Sequence, residues 1–203
     1  TSCELGSKSA CIIFDDVEMD LAVEAAVASA FKLSGQRCVS SGRMIVQRTV
    51  YDEFCKRFIE EASKLKTGNP FKEVTDSTST PDESIYYGPI INEQGYAKIR
   101  KMNHAVANDP EAEVLLNDTD YGLALGVLTN DFRKARILRD ECDAGMIYWN
   151  GGSIAAESHL AFGGVKKSGN GFPSAARTFR AVTHEISWTI NHADRLTFPQ
   201  GMK

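Results

Sequence analysis

The sequence predicts an α/β fold, a three-layer αβα arrangement on a mostly parallel, doubly wound sheet. Three observations lead there. Short apolar runs alternate along the chain with longer stretches of helical periodicity, which is the pattern of βαβ units. The 203 residues are 42% hydrophobic and 25% charged, an ordinary globular composition. A chain of this length buries roughly 70% of its unfolded surface, enough for a core without staples.

The first element is Ser9-Ala10-Cys11-Ile12-Ile13-Phe14, an apolar run closed by two aspartates and read as a buried strand. Asp15 or Asp16 is expected to cap a helix over residues 18–33, with Leu21, Ala25, Ala28 and Phe31 on its apolar face and Gly35 ending it. Residues 43–47 read as a strand. Residues 51–65 read as a second helix with a stripe of Phe54, Phe58, Ile59 and Ala62. The Gly-, Pro- and Ser-rich residues 66–87 form a long surface connection. Asn92 caps a third helix running to about residue 108, before Pro110.

Residues 113–116 have short strand character, and residues 124–129 make a fuller strand. Asp131 caps a helix to about Cys142, and residues 145–149 form a strand with aromatic ends. A glycine-dense loop follows over residues 151–171. Pro173 suits the first turn of a short helix ending near Val182. Ile186, Trp188 and Ile190 alternate in a last, half-buried strand over residues 185–191, which has no partner in the sequence.

Charge and cysteine usage exclude several functions. Lys and Arg number 23 against 27 Asp and Glu, a net charge of −4, with no basic block to meet nucleic acid. The most apolar stretch, residues 21–33, contains Glu24, Ser29 and Lys32 and is too short to span a bilayer. Thr1-Ser2-Cys3-Glu4 has neither the basic start nor the apolar run of a signal peptide. Five widely spaced cysteines with no Cys-x-x-Cys pair fit free thiols in a reducing, cytoplasmic setting. The four histidines have no ligand spacing, so no metal site is expected.

Two residues stand out chemically. Cys38 follows the helix-breaking Gly35 and precedes small polar residues in Ser34-Gly35-Gln36-Arg37-Cys38-Val39-Ser40-Ser41-Gly42. It reads either as a small buried residue or as a nucleophile on an exposed turn, with backbone N–H groups nearby to hold a thiolate or an oxyanion. Glu4, ahead of the turn-like Leu5-Gly6-Ser7-Lys8, reads either as a solvated charge or as a general base for water.

Taken together, Glu4-Leu5-Gly6-Ser7-Lys8 and Gly35-Gln36-Arg37-Cys38 resemble the general-base and nucleophile motifs of the aldehyde dehydrogenase superfamily. Further matches follow in order. Asp118-Thr119-Asp120-Tyr121-Gly122-Leu123 resembles the family's Asn-x-x-Tyr-Gly-Leu segment, and Trp149-Asn150 the strand end lining its substrate tunnel. Phe162-Gly163-Gly164-Val165-Lys166-Lys167-Ser168-Gly169 is similar to its Pro-Phe-Gly-Gly-x-Lys-x-Ser-Gly loop, with Ala161 in place of Pro.

The resemblance implies NAD- or NADP-dependent oxidation of a small-molecule aldehyde to a carboxylic acid. Cys38 would form a thiohemiacetal and then a thioester, and Glu4 would activate the hydrolytic water. Leu5 and Gly6 would meet the cofactor, while Arg37, Asn150 and Phe162 would meet the substrate. It divides the chain into residues 1–6, the end of a dinucleotide-binding domain otherwise missing; residues 7–182, the catalytic domain; and residues 183–203, an assembly strand and tail. That strand implies a homodimer or homotetramer. The family's Glu-x-Phe-Gly-Pro segment is absent where Leu115-Leu116 runs into Asn117-Asp118, so an internal shortening near residues 116–118 is expected. Ser7 stands where the family has a second Gly and would strain a backbone needing positive φ. A non-catalytic scaffold keeping the fold, and a cofactor-free cysteine esterase, are the alternatives.

Overall fold

The structure is a computed structural model and describes residues 2–71, 80–107, 119–188 and 190. Its centre is a four-stranded, fully parallel sheet in the order β2-β1-β4-β5. β1 is Ala10–Ile13, β2 is Arg43–Val46, β4 is Ala124–Leu128 and β5 is Met146–Trp149. Ala10 pairs with Arg43 on one side and Leu125 on the other, and Ala124 pairs with Met146. Every residue of β1 and β4 is buried. That is why these strands are continuous apolar runs instead of alternating ones: both faces of the sheet are covered.

Successive side chains of β1 feed the two faces in turn. Cys11 and Ile13 join Val23, Val27, Phe54 and Leu128 in a core beneath α1 (Met19–Phe31) and α2 (Tyr51–Ser63). Ala10 and Ile12 join Leu125 and Val127 on the opposite face, with Leu138 of α4 (Phe132–Glu141) packed against them. These are the three predicted layers. Phe58 ties α2 to α1, its ring 5.7 Å from Phe54 and 5.8 Å from Phe31.

Local capping chemistry placed two helices correctly. Asn92 Oδ1 accepts the Gly95 N–H at 2.8 Å at the start of α3 (Glu93–Ala107). Asp131 Oδ1 accepts the Arg133 N–H at 2.7 Å at the start of α4.

Other expectations fail for tertiary reasons. Neither Asp15 nor Asp16 caps α1, whose N-cap is Glu18 without a side-chain bond. Asp16 instead accepts the Thr129 hydroxyl at 2.8 and 2.9 Å, and Asp15 accepts from Thr49 at 3.0 Å. The buried face of α1 is Ala22, Val23, Ala26, Val27 and Ser29, rotated from the predicted stripe, with Leu21 exposed. Ile59 of the predicted α2 stripe also faces outward. Pro173 lies ahead of a 3-10 turn (Ala175–Arg177) that leads into α5 (Thr178–Val182), not in the helix's first turn.

Within the glycine-dense loop the structure adds a two-stranded antiparallel ribbon. β6 (Val165–Lys166) pairs with β3 (Tyr121–Gly122). Conversely, among the described residues of 183–190 no strand is formed, and Ile186, Trp188 and Ile190 are exposed instead of half-buried. The predicted short strand at 113–116 and the junction near 116–118 lie outside the described residues.

Candidate active site

Past α1 the chain turns through three consecutive residues of positive φ, Leu33 (55°), Ser34 (60°) and Gly35 (64°). This reversal delivers a tight turn over residues 37–40. The Ser40 N–H donates to Arg37 O at 3.0 Å, and the Arg37 N–H donates to Ser40 Oγ at 3.3 Å. Cys38 and Val39 are its two corner residues, and they face opposite environments. Val39 is 4% exposed, in a cluster with Leu123, Ala124 and Met146. Cys38 is exposed. Of the two readings that sequence left open for Cys38, the small buried residue is therefore set aside.

The turn is held from beneath by hydroxyls. Ser153 Oγ donates to Val39 O, and Ser9 Oγ makes a longer contact of 3.5 Å to Cys38 O. Ser41 Oγ lies 2.7 Å from Ser153 Oγ, and the Ser41 N–H donates to Ser29 O at 3.0 Å. Ser153, Ser29 and Ser41 are all buried. The N–H groups of Cys38 and Val39 have no acceptor among the described residues. An exposed thiol and two unengaged backbone donors thus belong to the same turn, groups able to hold an anion.

Glu4 is exposed and lies in a short bridge to Gly169. The Leu5 N–H donates to Ser168 O at 2.9 Å, and the Asn170 N–H donates to Cys3 O at 3.3 Å. Ser168 is itself buried and accepts the Gly122 N–H at 2.9 Å. The loop over residues 163–171 is therefore a clip that fixes the Glu4 segment beside the β3–β6 ribbon. Gly6 has φ of 135°, a conformation that suits glycine, and the Tyr121 ring covers the side where a Cβ would stand, 3.4 Å from that position. Ser7 has no positive φ. It adopts an ordinary backbone, and its hydroxyl bonds Ser9 at 2.6 Å, so the expected strain is absent. No hydrogen bond joins the Glu4 and Cys38 side chains among the described residues.

The remaining sequence candidates separate into two groups. Arg37 is exposed in the Cys38 turn itself. Phe162 packs on the Val39 cluster from the far side of the 151–162 loop. It also lines a cavity of about 540 Å³ with Tyr148, Trp149 and Leu160, which Cys38 does not reach. Asn150 lies at the other end of the sheet. Its N–H donates to Val127 O at 2.7 Å, and its Oδ1 accepts the Thr129 N–H at 3.0 Å, beyond the carboxyl ends of β4 and β5. Cys38 precedes the amino end of β2. A larger cleft of about 730 Å³ between α1 and α2 is lined by none of these residues. Leu5 is 67% exposed, leaving an open apolar edge beside Gly6.

Two further thiols lie in the core or against it, Cys11 and Cys142. Burial pushes Cys11 up to about 12 and, with help from Asp143 and Glu141, Cys142 up to about 11. Among the described residues no group of His, Cys, Asp and Glu is arranged to hold a metal ion, and no helix is long and apolar enough to cross a membrane. Sequence reasoning missed Ser153 and Ser41. The one signal for Ser153 was a lone hydroxyl after paired glycines, which local spacing cannot connect to a turn more than a hundred residues earlier.

The described residues form a parallel α/β domain with an exposed cysteine on a tight turn and an exposed glutamate clipped to residues 168–170. The aldehyde dehydrogenase family model matches residues 1–115 and 104–187, and the chain belongs to that family. Lactaldehyde dehydrogenase of Methanococcus vannielii is 31% identical over an alignment covering 83% of this chain and 44% of that protein. Vanillin dehydrogenase of an Amycolatopsis species is 30% identical over 236 residues, covering 97% of this chain and 48% of that protein. The salicylaldehyde dehydrogenase of Pseudomonas putida G7, solved with salicylaldehyde, shares the fold with a TM-score of 0.80 at 24% identity over 97% of this chain and 48% of that one. A glyceraldehyde-3-phosphate dehydrogenase of Methanocaldococcus jannaschii, complexed with NADP, has a TM-score of 0.72 at 25% identity over 83% and 45%. The chain spans about half the length, or less, of these relatives.

Proposed function

We propose that this chain is the catalytic portion of an NAD(P)-dependent aldehyde dehydrogenase. The observation carrying the proposal is the exposed Cys38 thiol at the corner of a turn whose two corner N–H groups are free. The Cys38 sulfur adds to the aldehyde carbonyl, and the Cys38 and Val39 amides receive the oxyanion that forms. The exposed Leu5, with Gly6 beside it, would meet the nicotinamide end of a dinucleotide, which would supply the hydride acceptor for the oxidation. Glu4 then takes a proton from water, whose oxygen attacks the thioester carbon and releases the acid with the Cys38 thiolate. Arg37, exposed in the same turn, borders the substrate, and Phe162 supports the turn through the Val39 cluster beneath it. Asn150 acts as a strand-end clamp, because its amide oxygen is engaged by Thr129.

The domain reading has support of its own. The alignment with vanillin dehydrogenase extends over 236 residues while drawing on 97% of a 203-residue chain, as an internal shortening requires. Exposed Phe179, Val182, Ile186 and Trp188 support assembly into a homo-oligomer through the C-terminal segment. Light scattering that finds a monodisperse monomer would remove that part.

The test is chemical. Iodoacetamide should label Cys38 ahead of Cys3, Cys11, Cys55 and Cys142, and a small aldehyde added first should slow that labelling. Aldehyde-dependent reduction of NAD or NADP by the protein should vanish in Cys38→Ser. Labelling of Cys38 no faster than that of the other thiols, with no aldehyde protection, overturns the reading.

A further inference from the structure

We propose that Ser153 is a positioning residue for Cys38, holding the nucleophile's turn through the carbonyl of Val39; this inference rests on the function proposed above. Ser153 is fully buried and has no path to substrate. Its single hydroxyl proton goes to Val39 O. The proton between Ser41 and Ser153, 2.7 Å apart, therefore belongs to Ser41, which donates to Ser153 Oγ. The result is a directed relay, Ser41 to Ser153 to Val39, with both hydroxyls oriented and desolvated.

Such a relay acts on the thiol through peptide geometry. Among the described residues every peptide bond is trans, so each peptide's C=O and N–H point in opposite directions. Fixing Val39 O inward fixes the plane of the peptide that follows Val39. With Val39's side chain anchored between Leu123 and Met146, the corner of the turn has little freedom left. Cys38 is then presented outward with its neighbouring N–H donors in place. Without the hydroxyl, Val39 O is buried and unpaired, and the turn gains by rotating that carbonyl toward water. The rotation would carry the corner amides away from the sulfur.

Ser153 also belongs to the loop that carries Phe162. Its neighbour Gly152 passes so close to α1 that a side chain there would meet Ser29 Oγ at 2.1 Å and Ala25 O at 2.8 Å. The loop is thereby fixed to α1, and Ser153 is its point of attachment to the Cys38 turn. One hydroxyl couples that loop to the Cys38 turn.

The experiment measures the second-order rate of Cys38 alkylation by iodoacetamide across pH, located by peptide mass, in the chain and in Ser153→Ala, Ser153→Thr and Ser41→Ala. Circular dichroism melts accompany each variant. We expect Ser153→Ala to keep its fold and alkylate Cys38 about fivefold to tenfold more slowly near neutral pH, the scale of one lost hydrogen bond. Its pH profile should move upward, because the thiolate loses its donors. Ser153→Thr, which keeps the hydroxyl, should recover most of the rate. Ser41→Ala, which leaves the Ser153–Val39 bond in place, should fall between, and it carries the test if Ser153→Ala does not fold. An unchanged rate and pH profile in folded Ser153→Ala, or in Ser41→Ala where that variant carries the test, overturns the inference, as does a Ser153→Thr variant as slow as Ser153→Ala. Either result leaves Cys38 the fastest thiol and the proposed function standing. If Cys38 is not the fastest thiol in the unsubstituted chain, the functional reading fails and this inference fails with it.

Discussion

Beyond the carboxyl ends of β1 and β4, polar side chains are spent on one another. Asp16 accepts the Thr129 hydroxyl and Lys134, Asp15 accepts Gln47 and Thr49, and Asn150 accepts the Thr129 N–H. Beyond the amino end of β2 the arrangement is reversed. Hydroxyls support the Cys38 turn from beneath, its thiol is exposed, and the N–H groups of Cys38 and Val39 have no acceptor among the described residues. In an open parallel sheet, ligands ordinarily meet the carboxyl edge. Here Asp15, Asp16 and Asn150 at that edge are engaged with their neighbours, and the site proposed above lies at the other one. A site needs unsatisfied groups, and a fold must limit them to where the backbone beneath is held.

The strongest way to break this contrast is to attack the loop that runs between the two ends. Gly152→Ala puts a Cβ 2.1 Å from Ser29 Oγ and 2.8 Å from Ala25 O. The backbone oxygen cannot yield, so either the loop or α1 must move, at a cost of about 3 kcal/mol. Urea unfolding should show that loss. The variant should also lose the preferential alkylation of Cys38, since Ser153 moves with Gly152. A substitution that leaves both unchanged would mean that the loop is not the connection between the ends.

What the sequence made legible follows the range of the interactions involved. Asn92 and Asp131 cap helices with their own following N–H groups, so a few residues of text suffice. Asp16 carries the same local signal, and its carboxylate goes instead to Thr129 and Lys134, which arrive from β4 and α4. The apolar face of α1 was misread for a related cause. Gly152 packs on Ser29 and covers a polar residue there, while Ala22, Val23, Ala26 and Val27 turn to the core shared with Phe54 and Leu128. β3 and β6 are two residues each, below any periodicity, and exist only because they find each other. At the site, Cys38 and Glu4 were legible through motif resemblance. The hydroxyls beneath Cys38 were not, because a buried serine and a surface serine read alike.

A smaller effect sharpens the closed end. Burial raises the Asp16 carboxyl, but hydrogen bonds from Thr129 and Lys134, and the charge of Lys134, outweigh it and hold it below the usual carboxylate range. A group depressed in the folded state adds stability above its unfolded value near 3.9, and that stability is lost as pH falls through the folded value. Asp16→Asn should therefore cost about 1 to 2 kcal/mol at neutral pH. The gap to the unsubstituted chain should hold constant down to about pH 5 and close in stronger acid. Denaturant midpoints taken at intervals from pH 7 to pH 3 would show it. A gap independent of pH would mean that the Asp16 charge is not what secures that end.

The smallest effect belongs to the open end. Cys38 is exposed and takes no part in a side-chain hydrogen bond, whereas Cys11 is completely buried in the core under α1. Replacing one sulfur by oxygen at an exposed position should change stability by less than about 0.5 kcal/mol. Cys38→Ser should therefore melt with the unsubstituted chain while losing the fast-alkylating site entirely. Cys11→Ser, which puts a hydroxyl into the core with Val23, Val27 and Phe54, should melt lower, by about 1 to 3 kcal/mol. The pair of melts compares two thiols in one chain, one serving the fold and one free of it. If Cys38→Ser destabilised as much as Cys11→Ser, the turn would be using its sulfur for packing, and the open end would be no more open than the closed one.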